Sequence, residues 1–118
     1  MNISDDNFYI RNTPLEYVVL FSYENKTAVA SLTFMCNTWY FNRLFAHPSL
    51  RGKGIASKLV DTVIQWAHEN DHDIICDINP YGDLNFEQLK KFYIKHGFKD
   101  AGDFVYYGSL EAIKRNYL

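Results

Sequence analysis

The stretch Ala46-His47-Pro48-Ser49-Leu50-Arg51-Gly52-Lys53-Gly54-Ile55-Ala56 constrains this chain most, because it joins an apolar extended run to an amphipathic helix through a glycine-containing loop. Before it, Trp39 to Ala46 is rich in the aromatic and branched residues that suit a strand. After it, Ile55, Leu59, Val60, Val63, Ile64 and Ala67 recur at helical spacing, with Lys58, Asp61, Thr62, Gln65 and Glu69 on the other face. The first turn of such a helix carries backbone N–H groups without internal partners and a partial positive charge. Gly52 and Gly54 let a bulky anion approach the main chain closely, and Arg51 and Lys53 add positive charge. The arrangement describes a pyrophosphate cradle, although the same spacing also serves as a plain turn ahead of a helix. A Walker loop is excluded, since no Gly-Lys-Ser/Thr occurs in the chain. The dinucleotide-binding fingerprint lacks its third glycine, because Ser57 follows Ala56.

What remains is Arg51-x-x-Gly54-x-Ala56, preceded by His47-Pro48. This pattern resembles the coenzyme-A-binding signature of the GNAT superfamily of N-acetyltransferases. A later segment, Asn85-Phe86-Glu87-Gln88-Leu89-Lys90-Lys91-Phe92-Tyr93-Ile94-Lys95-His96-Gly97-Phe98, is similar to the family's helix that ends in an aromatic-Tyr pair followed by Gly-Phe. The resemblance runs from Tyr40 to Phe98. It implies an α/β (α+β) fold with a mixed, centrally splayed β-sheet flanked by helices. Relatives carry a pair of helices between their first two strands, near the acceptor. Too few residues precede Tyr17 to hold a first strand and both helices, so these are expected to be reduced or absent. A pocket completed by a second subunit, as a homodimer, is then an expected possibility.

The resemblance further implies an enzyme that moves an acetyl group from acetyl-CoA directly to a primary amine, without an acyl-enzyme intermediate. It places the pantetheine arm along the main chain of Leu44, Phe45 and Ala46, with the Leu44 amide near the thioester oxygen. It places the pyrophosphate over Arg51, Gly52, Lys53, Gly54, Ile55 and Ala56, and gives Asn85 a ligand contact. Tyr93 matches the tyrosine that protonates the departing thiolate. The alternative for Tyr93 is a core aromatic on the buried helix face with Phe86 and Leu89. Trp39 to Ala46 contains no carboxylate to serve as base. His47, a chain of waters, or an acceptor already partly neutral can fill that role. These gaps motivate a rival reading, a catalytically silent coenzyme-A-binding or protein-interaction module on the same fold.

Size and composition narrow the partners. A chain of 118 residues is expected to form a single domain over 1–118. Apolar residues at 47% and aromatics at 17% point to a globular core rather than disorder. A formal net charge of −2 disfavours a duplex-coating nucleic-acid binder. No apolar run approaches the roughly 20 residues of a membrane span, and Met1 to Asp6 lacks the regions of a secretion signal, so a cytoplasmic protein is expected. Cys36 and Cys76 stand outside Cys-x-x-Cys spacing and read as buried free thiols in preference to a disulfide or redox pair. His68 and His72 are four apart, but no third ligand is evident, so no metal site is expected.

In chain order, residues 1–14 read as an irregular lead-in or short edge element. Tyr17 to Tyr23, Thr27 to Cys36 and Trp39 to Ala46 read as an antiparallel meander, turning at Glu24-Asn25-Lys26 and at Asn37-Thr38. The helix over 54–69 leads to a strand over 73–78. A helical crossover makes that strand parallel to its predecessor. Asn85 and Gln88 form a capping box, and Gly97-Phe98 closes a helix over 85–96. Val105 to Tyr107 is a short strand, and Ser109 caps a last helical turn.

Overall fold

The computed structural model describes residues 4–80 and 84–116. Among these, a 3-10 turn at Asp5–Asn7 leads into strands β1 (Phe8–Asn12), β2 (Glu16–Tyr23), β3 (Lys26–Met35) and β4 (Thr38–Ala46). A second 3-10 turn at Pro48–Leu50 precedes helix α1 (Ile55–Asn70), then strand β5 (Ile74–Asp77) and helix α2 (Phe86–Lys95). Strands β6 (Lys99–Asp100) and β7 (Phe104–Tyr107) and helix α3 (Leu110–Asn116) complete the order. The strands form one sheet in the order β1-β2-β3-β4-β5-β7-β6. All pairs are antiparallel except β4 with β5, the pair joined by the α1 crossover.

The meander has four strands rather than three, since β1 pairs along its length with β2, Phe8 facing Phe21 and Asn12 facing Tyr17. Only residues 13–15 separate β1 from β2, so the acceptor-side helices are absent from that connection. Two-residue turns close the next two hairpins. Glu24 and Asn25 have φ of 47° and 64°, and Cys36 and Asn37 have φ of 52° and 57°. Positive φ at both central positions matches the right-handed twist of the flanking strands. The second turn therefore falls one residue earlier than the sequence pattern indicates. Cys36 sits at its tip and is exposed, whereas Cys76 is buried as expected.

The helix α1 buries Ile55, Leu59, Val60, Val63, Trp66 and Ala67 against the sheet. Trp66 stacks on Tyr17 with ring centroids 3.9 Å apart and meets Trp39 edge-on at 4.8 Å. The helix α2 lies on the same face, because Phe41, two residues beyond Trp39, meets the ring of Tyr93 at 6.0 Å. Ile75 points to the other face and is buried apart from this cluster, as is Ile113 of α3. The last helix is longer than the single turn expected, with the Ser109 hydroxyl accepting the Ala112 N–H. The two-residue strand β6 is too short to leave a sequence signal.

Both ends of α2 follow from local chemistry. Asn85 Oδ1 accepts the Gln88 N–H and Gln88 Oε1 accepts the Asn85 N–H, each at 2.9 Å. At the far end the Phe98 and Gly97 amides donate to the Tyr93 and Ile94 carbonyls, each at 3.1 Å. These two bonds are a Schellman closure, and Gly97 takes the left-handed backbone it requires, at φ 112°. Replacement Asn85→Ala removes the side-chain acceptor and is expected to cost about 1 kcal/mol, measured by urea unfolding. An unchanged unfolding midpoint would show that this cap does not stabilise the fold.

Candidate functional site

The site begins where two strands part. The parallel register of β4 and β5 pairs Trp39 with Ile74, Tyr40 with Ile75 and Phe41 with Cys76, and extends no further. On its other side β4 stays paired with β3 as far as Ala46. The cause is a bulge. Leu32 pairs with Phe41 and Ser31 with Arg43, which leaves Asn42 as an extra residue in β4. A bulge bends its strand and increases the local twist. It also reverses the alternation of faces: Trp39 and Phe41 are buried before it, Leu44 and Ala46 after it, with Asn42 and Arg43 both exposed between them.

A cleft of about 350 Å³ opens at this divergence, walled by residues 41–45 of β4, by Asp77, Asn79 and Pro80, and by Tyr93 of α2. A second cleft of about 290 Å³ lies beyond Ala46, between Arg51, Gly52 and Gly54 of the loop, Ile55 and Ala56 of α1, and Leu84 and Phe92. The exposed Lys53 and the capping residue Asn85 line neither cleft. Leu44, Phe45, Ala46, Arg51, Gly52, Gly54, Ile55, Ala56 and Tyr93 are thus brought together.

The loop leaves the start of α1 open. Gly52 and Gly54 adopt φ of 76° and 79°, and Gly54 is the N-cap of α1 with no side-chain hydrogen bond to its first turn. By contrast α2 has a full capping box and Glu87 in its first turn. The first turn of α1 therefore has no side-chain cap on its amide donors or its positive end. Arg51 does more than add charge. Its Nε donates to the Ala46 carbonyl at 3.0 Å, and its guanidinium carbon lies 5.9 Å from the Phe45 ring centroid. That tie fixes the loop to the end of β4. His47 accepts the Ser49 N–H on Nδ1 at 3.1 Å, capping the 3-10 turn, and lines neither cleft.

Tyr93 is both a core residue and a cleft residue. It is only 3% exposed and packs edge-on against Phe98 at 5.5 Å, yet it lines the first cleft. Its hydroxyl acts on the Cys76 thiol and opposes in part the upward push of burial there. Burial pushes the Cys76 thiol well above its ordinary range, so it stays protonated and donates to the Asp77 carbonyl at 3.6 Å. Across the cleft stands a pair that the sequence reading passed over: Tyr40 donates its hydroxyl to Asp77 Oδ2 at 2.8 Å. The available signal was a carboxylate ending the apolar run Ile74-Ile75-Cys76.

The acetyltransferase (GNAT) domain family matches residues 5–100. The chain belongs to the GNAT family. No curated protein matches it by sequence. Solved structures similar to this GNAT domain include the anti-CRISPR protein AcrVA5, at 18% identity and a TM-score of 0.53, with 86% of this chain and 99% of that one covered. The PaiA N-acetyltransferase of Thermoplasma acidophilum, solved with coenzyme A, gives 18% identity and a TM-score of 0.57, covering 78% of this chain and 59% of its own. An aminoglycoside 6'-N-acetyltransferase complexed with coenzyme A gives 16% and 0.57, covering 80% and 72%. At these identities the likeness is one of fold. It agrees with the splayed mixed sheet and helices described above. Among the described residues no group of His, Cys, Asp and Glu could hold a metal, and no helix is long and apolar enough to cross a membrane.

The glycine loop of this GNAT domain yields a stability test that is independent of any ligand. A Cβ at Gly54 would meet nothing within 4 Å, so the cost of a side chain there lies in the backbone at φ 79°. The replacement Gly54→Val is expected to destabilise the fold by about 1–2 kcal/mol, and Gly54→Asn by less, because Asn tolerates the left-handed region. Equal urea midpoints for Val and Gly would contradict the observed loop conformation.

Proposed function

We propose that this domain transfers an acetyl group from acetyl-CoA directly to a primary amine. The observation that carries this reading is the run of β4 beyond the bulge. Its register with β5 ends at Phe41, and beyond that point, among the described residues, no strand pairs with this edge, which leads past the cleft lined by Tyr93 into the uncapped start of α1. An extended pantetheine arm has amides that can pair with such an edge as another strand would. In this reading Leu44, Phe45 and Ala46 hold the arm, and the Leu44 amide polarises the thioester carbonyl. The loop Arg51-Gly52-Lys53-Gly54 and the first amides of α1, at Ile55 and Ala56, hold the pyrophosphate. Gly52 and Gly54 keep that approach open, since a Cβ built at either meets nothing within 4 Å.

The hydroxyl of Tyr93 donates the proton that the departing thiolate takes. Its place on the wall of the first cleft, beside the run of β4 beyond the bulge, supports this. A neutral phenol can donate its proton to a forming thiolate. The test uses calorimetry with acetyl-CoA and thiol release in the presence of amines. Wild-type protein is expected to bind and to turn over. The replacement Tyr93→Phe keeps the ring, so affinity for acetyl-CoA should remain near wild type while kcat falls at least about tenfold, the low side of general-acid effects. A folded Tyr93→Phe protein with wild-type turnover would return Tyr93 to a packing role. Binding without turnover by wild-type protein would favour the silent coenzyme-A-binding module.

A further inference from the structure

We propose that Asp77, held in place by Tyr40, is the group that docks the acceptor amine and takes its proton as the N–C bond forms. The inference rests on the acetyl-transfer reading above and names the proton acceptor that β4 does not provide.

Strand parity places Asp77 and Tyr93 on opposite sides of the cleft. Paired residues of neighbouring strands share a face, and successive residues alternate. Trp39, Phe41, Ile74 and Cys76 face the side covered by α1 and α2, from which Tyr93 enters the cleft. Tyr40, Ile75 and Asp77 face the other way. The two groups are therefore divided between the two faces of the parted strands. Addition to a thioester carbonyl needs the same division, because the incoming nitrogen and the departing sulfur occupy different corners of the tetrahedral carbon.

The chemistry of the lining agrees. Of the described residues that wall the cleft, Asp77 is the only carboxylate. Tyr40 fixes its Oδ2 by the 2.8 Å hydrogen bond, and among the described residues no other side chain pairs with it. Asp77 is exposed, so an acceptor can reach it. An alkylammonium, with pKa about 10.4, is drawn to such a carboxylate, while the small neutral fraction is the nucleophile. As the amine attacks, its nitrogen gains positive charge and becomes strongly acidic. The N–C bond forms, one N–H proton passes to the Asp77 carboxylate and on to water, and the thioester C–S bond breaks. The thiolate takes the Tyr93 proton, which solvent replaces. The arrangement favours primary amines over neutral hydroxyl acceptors.

The test is steady-state thiol release with spermidine, kanamycin and an end-blocked lysine peptide as amines. The variants are Asp77→Asn, Asp77→Ala and Tyr40→Phe, each checked for an unchanged melting temperature. Expected for Asp77→Asn is a loss in kcat of at least about a hundredfold, the low side of general-base effects, with the acetyl-CoA KM within about twofold of wild type. Sodium formate, compared with sodium chloride at equal ionic strength, should restore part of the rate to Asp77→Ala, because a free carboxylate can occupy the space. Tyr40→Phe should lower kcat by less and leave the acetyl-CoA KM unchanged. Wild-type turnover by Asp77→Asn would overturn the assignment and leave acetyl transfer standing. A loss that falls on the acetyl-CoA KM and ignores formate would also overturn it. Absence of turnover by wild-type protein with all three amines would bring down the acetyl-transfer reading, and this proposal with it.

Discussion

One extra residue in β4 sets the geometry on which the site depends. With Asn42 left out of the pairing to β3, the strand bends after Phe41 and its contact with β5 ends. A straight β4 would pair with β5 along its length and would send Leu44 and Ala46 to the face where Arg43 and Phe45 now stand. The bulge therefore keeps the core continuous, with Trp39, Phe41, Leu44 and Ala46 all buried, while it opens the sheet. An opened sheet exposes backbone donors and acceptors that would otherwise be satisfied, a cost that a bound extended chain can offset.

The rest of the fold holds that opening in place. The crossover helix α1 ties the end of β4 to β5 and has an uncapped start. Arg51 anchors the loop to Ala46, the last residue of β4, through the bond from its Nε to the Ala46 carbonyl. The helix α2 seats Tyr93 against Phe41 and Phe98 and is closed at both ends by its own caps. Rigid elements on each side of a cleft position reacting groups more precisely than loops do. The connection from β1 to β2 holds no helix, and Arg43 and Asp77 both line the cleft.

Much of this was legible in the residues. The capping box, the Gly97-Phe98 closure and the helix-linked parallel strand are local signals with a single structural solution, and each stands where the sequence placed it. The turn at Cys36-Asn37 was displaced by one residue because cysteine carries no turn preference, whereas its neighbours Asn37 and Thr38 do. The adjacent exposed pair Asn42-Arg43 within an otherwise apolar run was the written sign of the bulge. It was passed over because the run as a whole reads as strand. Asp77 escaped notice because its role comes from tertiary geometry: only the end of the β4–β5 register shows that it stands at the mouth of a cleft. The two readings of Tyr93 proved compatible in placement, since a side chain can be almost fully buried and still wall a cavity.

The central claim is that the β4 edge beyond the bulge and the start of α1 together receive acetyl-CoA. Backbone amide shifts, followed residue by residue while acetyl-CoA is added, test it most directly. The account predicts large changes at residues 43–46 and 52–57, with the tip of the Cys36-Asn37 hairpin unmoved. Saturable binding that leaves those two segments unchanged and perturbs other parts of the sheet would contradict it.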